Sequence, residues 1–264
     1  MDFIIFLIDI FVFVFGLCVG SFLNCVIYRL EAKKSFLKGR SFCPHCKHGL
    51  NWTDLVPVFS FLFLKARCRH CKKKISIQYP LVEISTGLIF LLILNFKFEI
   101  LNEFSIFQFL NLAFWFYVAS ALIIIFIYDL KHYLIPDKVL FPAIIIAFLY
   151  QLFVNFNLIV NFLIAVVIAS GFFLAIFLIS KGRWMGFGDV KLAVLMGLLL
   201  GVSNVLAALF LAFFFGAIIS IILVIFHKKK LKSEIPFGPF LILGTLLAML
   251  WGQQIINWYF KIFI

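Results

Sequence analysis

Long apolar runs separated by short polar connections dominate the chain. Crossing a hydrocarbon core of about 30 Å takes about 20 helical residues, and runs of this kind recur along nearly the whole length. Because a backbone in lipid must satisfy its own hydrogen bonds, each run is predicted to be a helix. The pattern predicts an all-α polytopic membrane protein with about eight spans, at residues 3–28, 80–96, 109–128, 138–155, 158–180, 190–203, 205–226 and 238–257.

The spans and connections divide the chain into three parts. Residues 1–28 form a first span, residues 29–79 a polar loop, and residues 80–264 a larger membrane domain. The sixth span is short for a full crossing, and only a brief turn at 202–204 separates it from the seventh.

The basic flank of the first span follows the apolar run, whereas a signal peptide carries its positive charge in front, so we expect this span to be retained.

Composition agrees with the membrane assignment and adds an orientation. The 264 residues are 65% hydrophobic and 13% charged, with a mean hydropathy of +1.18. Lys and Arg accumulate in cytoplasmic connections. The loop 29–79 holds twelve of the 23 basic residues, and alternate later connections hold nine more: Lys131, Lys138, Lys181, Arg183, Lys191, Lys228, Lys229, Lys230 and Lys232.

Only Lys97 and Lys261 fall on the opposite side, so the asymmetry is 21 to 2. It predicts that the loop 29–79 lies in the cytoplasm and that both termini lie on the other side of the membrane. Membrane topology thereby accounts for the net charge of +12, and no nucleic-acid partner is expected.

The first loop contains two CxxC pairs separated by 21 residues. Four thiolates at this spacing are typical of a zinc ribbon, and a closed four-sulfur shell makes the zinc structural. The alternative is two disulfides, which require an oxidising compartment and disagree with the predicted cytoplasmic placement. The predicted metal ligands are Cys43, Cys46, Cys68 and Cys71.

Two aspartates lie where apolar helices meet the predicted cytoplasmic side. Asp129 ends the third span, and Asp189 follows two glycines at the start of the sixth. A carboxylate at the end of an apolar helix is costly unless it borders water, which makes it a functional candidate. The simpler interpretations are a helix cap for Asp189 and an ion pair with Lys131 for Asp129. Asp137 is predicted to begin the fourth span, because it follows Pro136.

Paired carboxylates suggest a specific chemistry. Close like charges cannot both ionise, so one carboxylate accepts a proton from water while its protonated partner donates to the substrate carbonyl and leaving amine. Glycines before Asp189 would allow an extended peptide to approach closely. The sequence contains no GxSxG, HExxH or P-loop pattern that would support a competing mechanism.

Taken together, these residues resemble the type IV prepilin peptidases, the GxGD-type leader peptidase/N-methyltransferase family. Six motifs occur in family order along almost the entire chain: Gly20-Ser21-Phe22-Leu23-Asn24 with Tyr28-Arg29-Leu30, the cysteine pairs around Trp52-Thr53-Asp54-Leu55-Val56-Pro57, Tyr79-Pro80-Leu81-Val82-Glu83, Asp129 to Asp137, Gly186-Phe187-Gly188-Asp189, and Ile235-Pro236-Phe237-Gly238-Pro239-Phe240. Departures are few: Gln78 stands where many relatives carry Arg, and Leu55 where Asn is common.

The resemblance implies an aspartic endopeptidase of the bacterial inner membrane with Asp129 and Asp189 as its catalytic pair. Its expected substrates are type IV prepilins or pseudopilins, cut after a glycine on the cytoplasmic side. It also implies N-methylation of the new terminal residue, commonly Phe, with S-adenosylmethionine as the methyl donor. No residue is assigned to that cofactor. Two alternatives remain open: a GxGD intramembrane protease with a non-pilin substrate, and a non-catalytic transporter or scaffold with a zinc-stabilised loop.

Overall fold

A computed structural model describes residues 2–33, 35, 39–97, 105–226 and 235–263. Within these residues the fold is helical, and its only extended pairings are two isolated β-bridges in the first loop. The helices are α1 (Asp2–Glu31), α2 (Phe59–Phe63), α3 (Gln78–Lys97), α4 (Ile106–His132), α5 (Asp137–Val154), α6 (Ile159–Ser180), α7 (Phe187–Ile225) and α8 (Gly238–Phe263). Two short 3-10 turns lie at Trp52–Leu55 and Phe156–Leu158.

Seven of the described helices are long and apolar enough to cross a membrane; α2, with five residues, is the exception. The predicted all-α polytopic class is therefore confirmed. Six predicted spans coincide with α1, α3, α4, α5, α6 and α8; their ends agree within four residues, except that α8 continues six residues beyond the predicted end of the last span. As predicted, the fourth span begins at Asp137, with Pro136 as the residue before the helix.

The sixth and seventh predicted spans are joined in the single element α7. Its 39 residues would extend about 58 Å if straight, nearly twice the thickness of a hydrocarbon core. The helix is interrupted at Gly201, whose backbone has φ 70° and ψ 177°, a conformation essentially restricted to glycine. The predicted turn at 202–204 is thus replaced by a break at Gly201.

Contacts with α6 show that α7 reverses direction at this break. The ring of Phe187, at the start of α7, packs 5.4 Å from a ring in the last turn of α6. At the break, Gly201 lies against Asn161 near the start of α6. Further along α7, Phe213 packs 6.3 Å from Phe173, which lies about 18 Å beyond Asn161 along α6. The two parts of α7 therefore run in opposite directions, and the seven elements contain eight apolar segments.

Amide side chains bind the backbone groups around the break. Gln151 Nε2 donates to the carbonyl of Leu198 at 2.7 Å, and Gln151 is only 1% exposed. The Val202 N–H donates to Asn161 Oδ1 at 3.3 Å. Such partners are needed because lipid offers none to a broken helix. Polar residues on α5 and α6 thereby support the reversal of α7.

The described residues divide into two compact units, 1–124 and 125–264, with the boundary inside α4. In the first unit α1 packs on α3 at very short range: a Cβ added to Gly16 would lie 2.7 Å from the Cα of Gly87. In the second unit α7 packs against α5, α6 and α8. The division at residues 28 and 79 drawn from the sequence stays a prediction.

Candidate active site and metal centre

Asp129 lies in the last turn of α4 and is only 5% exposed, although aspartate side chains usually lie in contact with solvent. The backbone N–H of Gly238, at the start of α8, donates a hydrogen bond to its carboxylate. A Cβ added to Gly238 would overlap Asp129 Oδ2. The absence of a side chain at residue 238 therefore lets the backbone of α8 reach the carboxylate.

Asp189 is the third residue of α7 and is 8% exposed. The N–H of Gly186, the residue before the helix, donates to its carboxylate. In a capping box the side chain of the third helical residue accepts a hydrogen bond from the N–H of the N-cap residue, and Asp189 makes this contact with Gly186. The predicted capping contact of Asp189 therefore exists. It leaves other lone pairs of the carboxylate free to act on a ligand.

The structure brings the two aspartates together. The carboxylate of Asp129 interacts electrostatically with that of Asp189. Ile135, between α4 and α5, packs under both glycine-containing segments: added Cβ atoms would lie 3.2 Å from its side chain at Gly188 and 3.5 Å at Gly238. Three chain segments that are far apart in sequence thus meet at one pair of poorly solvated carboxylates.

An ion pair in this unit joins Asp137 and Lys191, near the starts of α5 and α7. The Lys191 ammonium also lies over the rings of Phe141 and Phe187, 5.5 and 5.8 Å from their centroids. The sequence also suggested an ion pair between Asp129 and Lys131, but the ion pairs of the described residues do not include it. Within the described residues, Asp129 is therefore buried beside a second carboxylate and forms no ion pair with Lys131.

The four predicted cysteine ligands form a cluster. Their sulfur atoms all lie within 4.8 Å of one another, and Cys43 Sγ is 3.9 Å from Cys71 Sγ. Four sulfurs at about 2.3 Å from one zinc ion stand about 3.8 Å apart in a regular tetrahedron. All four cysteines are free, whereas disulfide sulfurs are about 2.05 Å apart. The cluster has the size and donor set of a metal site.

Two similar turns present the sulfurs. The Cys43 N–H donates to the carbonyl of His48 at 2.9 Å, and the Cys43 carbonyl accepts from Lys47 at 2.8 Å. The same two hydrogen bonds recur around Cys68, at 2.9 and 3.0 Å. In each pair, therefore, the backbone folds round the first cysteine in the same way and directs both sulfurs to one point.

The electrostatics of the cluster favour a bound cation. Backbone N–H groups of Cys71 and His70 lower the pKa of Cys68 to about 7. The N–H of His48 also favours the Cys46 thiolate, yet desolvation and the three neighbouring thiols raise the pKa of Cys46 to about 11. Four thiolates this close would repel one another, so a divalent cation is needed for all four to be ionised together.

The first unit also buries polar side chains to which the sequence analysis gave no physical role: Asn24, Arg29, Glu83 and Thr86. A signal for one of them was present, because Glu83 is an acidic residue near the start of an apolar span. Gly238 was noticed only as part of a motif, since its function depends on a contact with Asp129 across more than a hundred residues.

The fold and site define a class: a polytopic membrane protein with paired buried carboxylates and a four-cysteine loop. Comparison with known families is consistent with this class. Residues 14–96 match the Bacterial Peptidase A24 N-terminal domain, and residues 116–221 match the Type IV leader peptidase family. The chain belongs to the type IV leader peptidase family.

Similar curated proteins cover the chain almost completely. A prepilin leader peptidase/N-methyltransferase from Legionella pneumophila is 34% identical over 93% of this chain and 92% of its own length. Proteins of the same name from Aeromonas hydrophila and Bacillus subtilis are 30% and 32% identical, covering 96% and 94% of this chain and 94% and 96% of their own lengths. No solved structure matches.

Proposed function

We propose that this chain cleaves the basic leader peptides of type IV prepilins or pseudopilins and methylates the new N-terminal residue. The observation that carries the peptidase activity is the pairing of Asp129 with Asp189, both less than a tenth exposed, at the ends of apolar helices. Family membership and the names of the relatives support the substrate class.

The paired carboxylates are suited to peptide hydrolysis. Two close carboxylates in a poorly solvated site share one proton. The ionised member takes a proton from water, which attacks the scissile carbonyl, while the protonated member donates to the carbonyl oxygen and then to the leaving amine. The Gly238 and Gly186 N–H groups keep Asp129 and Asp189 oriented throughout.

We place this reaction on the cytoplasmic side of the inner membrane and assign zinc to the cysteine cluster. The 21 to 2 distribution of basic residues supports the orientation, although Lys228, Lys229, Lys230 and Lys232 lie outside the described residues, as does the side chain of Lys97. The four-sulfur donor set and its dimensions support zinc. The metal is structural, since a closed shell leaves no position for substrate.

The proposed activity is tested by co-expression with a type IV prepilin in a host that lacks its own prepilin peptidase. The prepilin should shift to the mature size, with N-terminal sequencing showing cleavage after glycine and mass spectrometry showing one added methyl group. A stable, membrane-inserted enzyme that leaves several prepilins and pseudopilins uncut would favour the alternative, a GxGD protease with another substrate.

A further inference from the structure

Glu83 is a buried carboxylate that the peptidase mechanism does not use. It lies in the second turn of α3, in the first unit, and is 6% exposed. Its described hydrogen-bond partners are uncharged: Val58 N–H donates to Oε2 at 2.7 Å, and the Ser21 hydroxyl donates to the carboxylate. The described ion pairs do not include Glu83.

The turn that covers Glu83 is strained. Val58 has φ 60° and ψ −50°, and the N–H of Phe59 donates to the carbonyl of Pro57 at 2.5 Å. This is a γ-turn of the rare, strained type, and a β-branched residue at positive φ is an outlier. Opening the turn would break the hydrogen bond from Val58 N–H to Glu83, but it would also release the backbone strain at Val58. The strain therefore offsets part of the cost of moving the Val58 turn away from Glu83.

The surroundings of Glu83 on the helix side are, in contrast, tightly built. A Cβ added to Gly20 of α1 would lie 2.6 Å from the Glu83 Cα and 3.0 Å from Thr86 Oγ1. One turn along α1, Asn24 Nδ2 donates to the carbonyl of Tyr79 at 3.0 Å. Glu83 thus lies between the tightly packed helices α1 and α3 on one side and the strained turn at Val58 on the other.

Accepting the Val58 N–H and the Ser21 hydroxyl does not by itself require a carboxylate. A neutral glutamine would accept the Val58 N–H and the Ser21 hydroxyl equally well. Burying a carboxylate without a cation costs more than burying an amide. The described contacts leave acceptor positions on the Glu83 carboxylate and supply no cation to it, so the group is suited to a cationic ligand.

We propose that Glu83 binds the α-amine of the mature pilin and accepts its proton during N-methylation, with the Val58 turn moving aside. This inference rests on the proposed function. Its ligand is a peptide terminus that carries a free ammonium group, held by a charge-assisted hydrogen bond.

The family resemblance implies a methyl donor for this reaction. S-adenosylmethionine supplies, when bound, a methyl group on a positively charged sulfur. The pilin ammonium first loses one proton to a Glu83 carboxylate oxygen. The freed nitrogen lone pair then forms a bond to the methyl carbon as the methyl–sulfur bond breaks, and that electron pair stays on the sulfur. Glu83 later releases its proton to water.

The test compares Glu83→Gln with the matched control Thr86→Val, a buried polar residue three positions along the same helix whose hydroxyl bonds only to its own helix. Both variants are assayed for prepilin cleavage, for methylation by mass spectrometry, and for peptide binding in detergent without methyl donor. The binding probes are a hydrophobic peptide with a free N-terminal Phe and the same peptide N-acetylated.

The wild type should bind the free amine roughly tenfold to a hundredfold more tightly than the acetylated peptide, as expected for a hydrogen bond between charged groups. Glu83→Gln should lose this preference and release pilin that is cut but unmethylated, while Thr86→Val behaves like the wild type. If Glu83→Gln still methylates pilin normally, or loses cleavage and methylation together, the assignment is wrong. A wild type that cuts no prepilin would instead overturn the proposed function.

Discussion

The backbone N–H of Gly238 donates to the Asp129 carboxylate at a point where no side chain fits between them. Asp129 ends α4, and Gly238 begins α8, so the contact fixes the orientation of one carboxylate by the position of a distant helix. A backbone donor is well suited to this task because it has no rotamers to lose.

Gly238→Ala should reduce leader cleavage by roughly a hundredfold, the scale associated with displacing a catalytic group by about 1 Å. The added Cβ must displace either Asp129 or the start of α8. Gly171→Ala is the matched control, because nothing lies within 4 Å of a Cβ at that helical position. Equal cleavage rates for the two variants would show that the contact is unimportant.

Asp129→Asn and Asp189→Asn should each reduce cleavage of a co-expressed prepilin by about a thousandfold or more, without loss of protein from the membrane. The double variant should be little worse, because members of one catalytic unit are not additive. Near wild-type processing by Asp189→Asn would rule out the two-aspartate mechanism.

Asp137→Asn provides a contrast. The Asp137 side chain is 53% exposed, and its ion pair with Lys191 is of the surface kind that contributes about 1 kcal/mol or less. Substantial cleavage should remain in this variant, measured by the same mobility shift. If Asp137 proves essential and Asp129 dispensable, the first member of the pair is misassigned.

Purified protein should contain about one zinc per chain, measured by elemental analysis, since four thiolates complete one tetrahedral shell. Cys43→Ser should lose the metal and expose the loop to protease, because the loop has little apolar core of its own. The control variant Cys18→Ser, altered in α1, should retain the metal. Metal-free protein with Cys43 in a disulfide would contradict both zinc and the cytoplasmic loop.

Single cysteine reporters should place Gly39 and Lys229 in the cytoplasm and Asn102 on the opposite side; Lys229 and Asn102 lie outside the described residues. The measurement is labelling of intact cells by a membrane-impermeant thiol reagent, with permeabilised cells as the control. Labelling at Lys229 from outside would require a different topology.

Gly201→Ala should destabilise the protein by roughly 1–3 kcal/mol, because the φ and ψ of Gly201 are strained for a residue with a side chain. The new Cβ would also lie 2.9 Å from Asn161 Nδ2. Thermal unfolding in detergent measures the effect against the same Gly171→Ala control. An unchanged unfolding midpoint would show that the break at Gly201 is relaxed.

Features that depend on local chemistry could be predicted from the sequence. Apolar runs of membrane length predicted the helices, because lipid leaves the backbone no other regular choice. Paired CxxC spacing predicted the four sulfurs that the structure brings within 4.8 Å, since two short turns present them. Asp129 and Asp189 were identified as candidates because a carboxylate at the end of an apolar helix is unusual. Their catalytic role stays a prediction.

Contacts between distant segments could not be predicted in this way. The break at Gly201 depends on Asn161 and Gln151, which lie on other helices, so local turn residues pointed a few positions too far along the chain. Gly238 acquires its importance from Asp129, and Glu83 from the strained turn at Val58. The sequence by itself determined which segments enter the membrane and which groups have reactive chemistry. Only the tertiary structure decided which of those groups meet, because burial and hydrogen bonding at a site depend on helices that are remote in sequence.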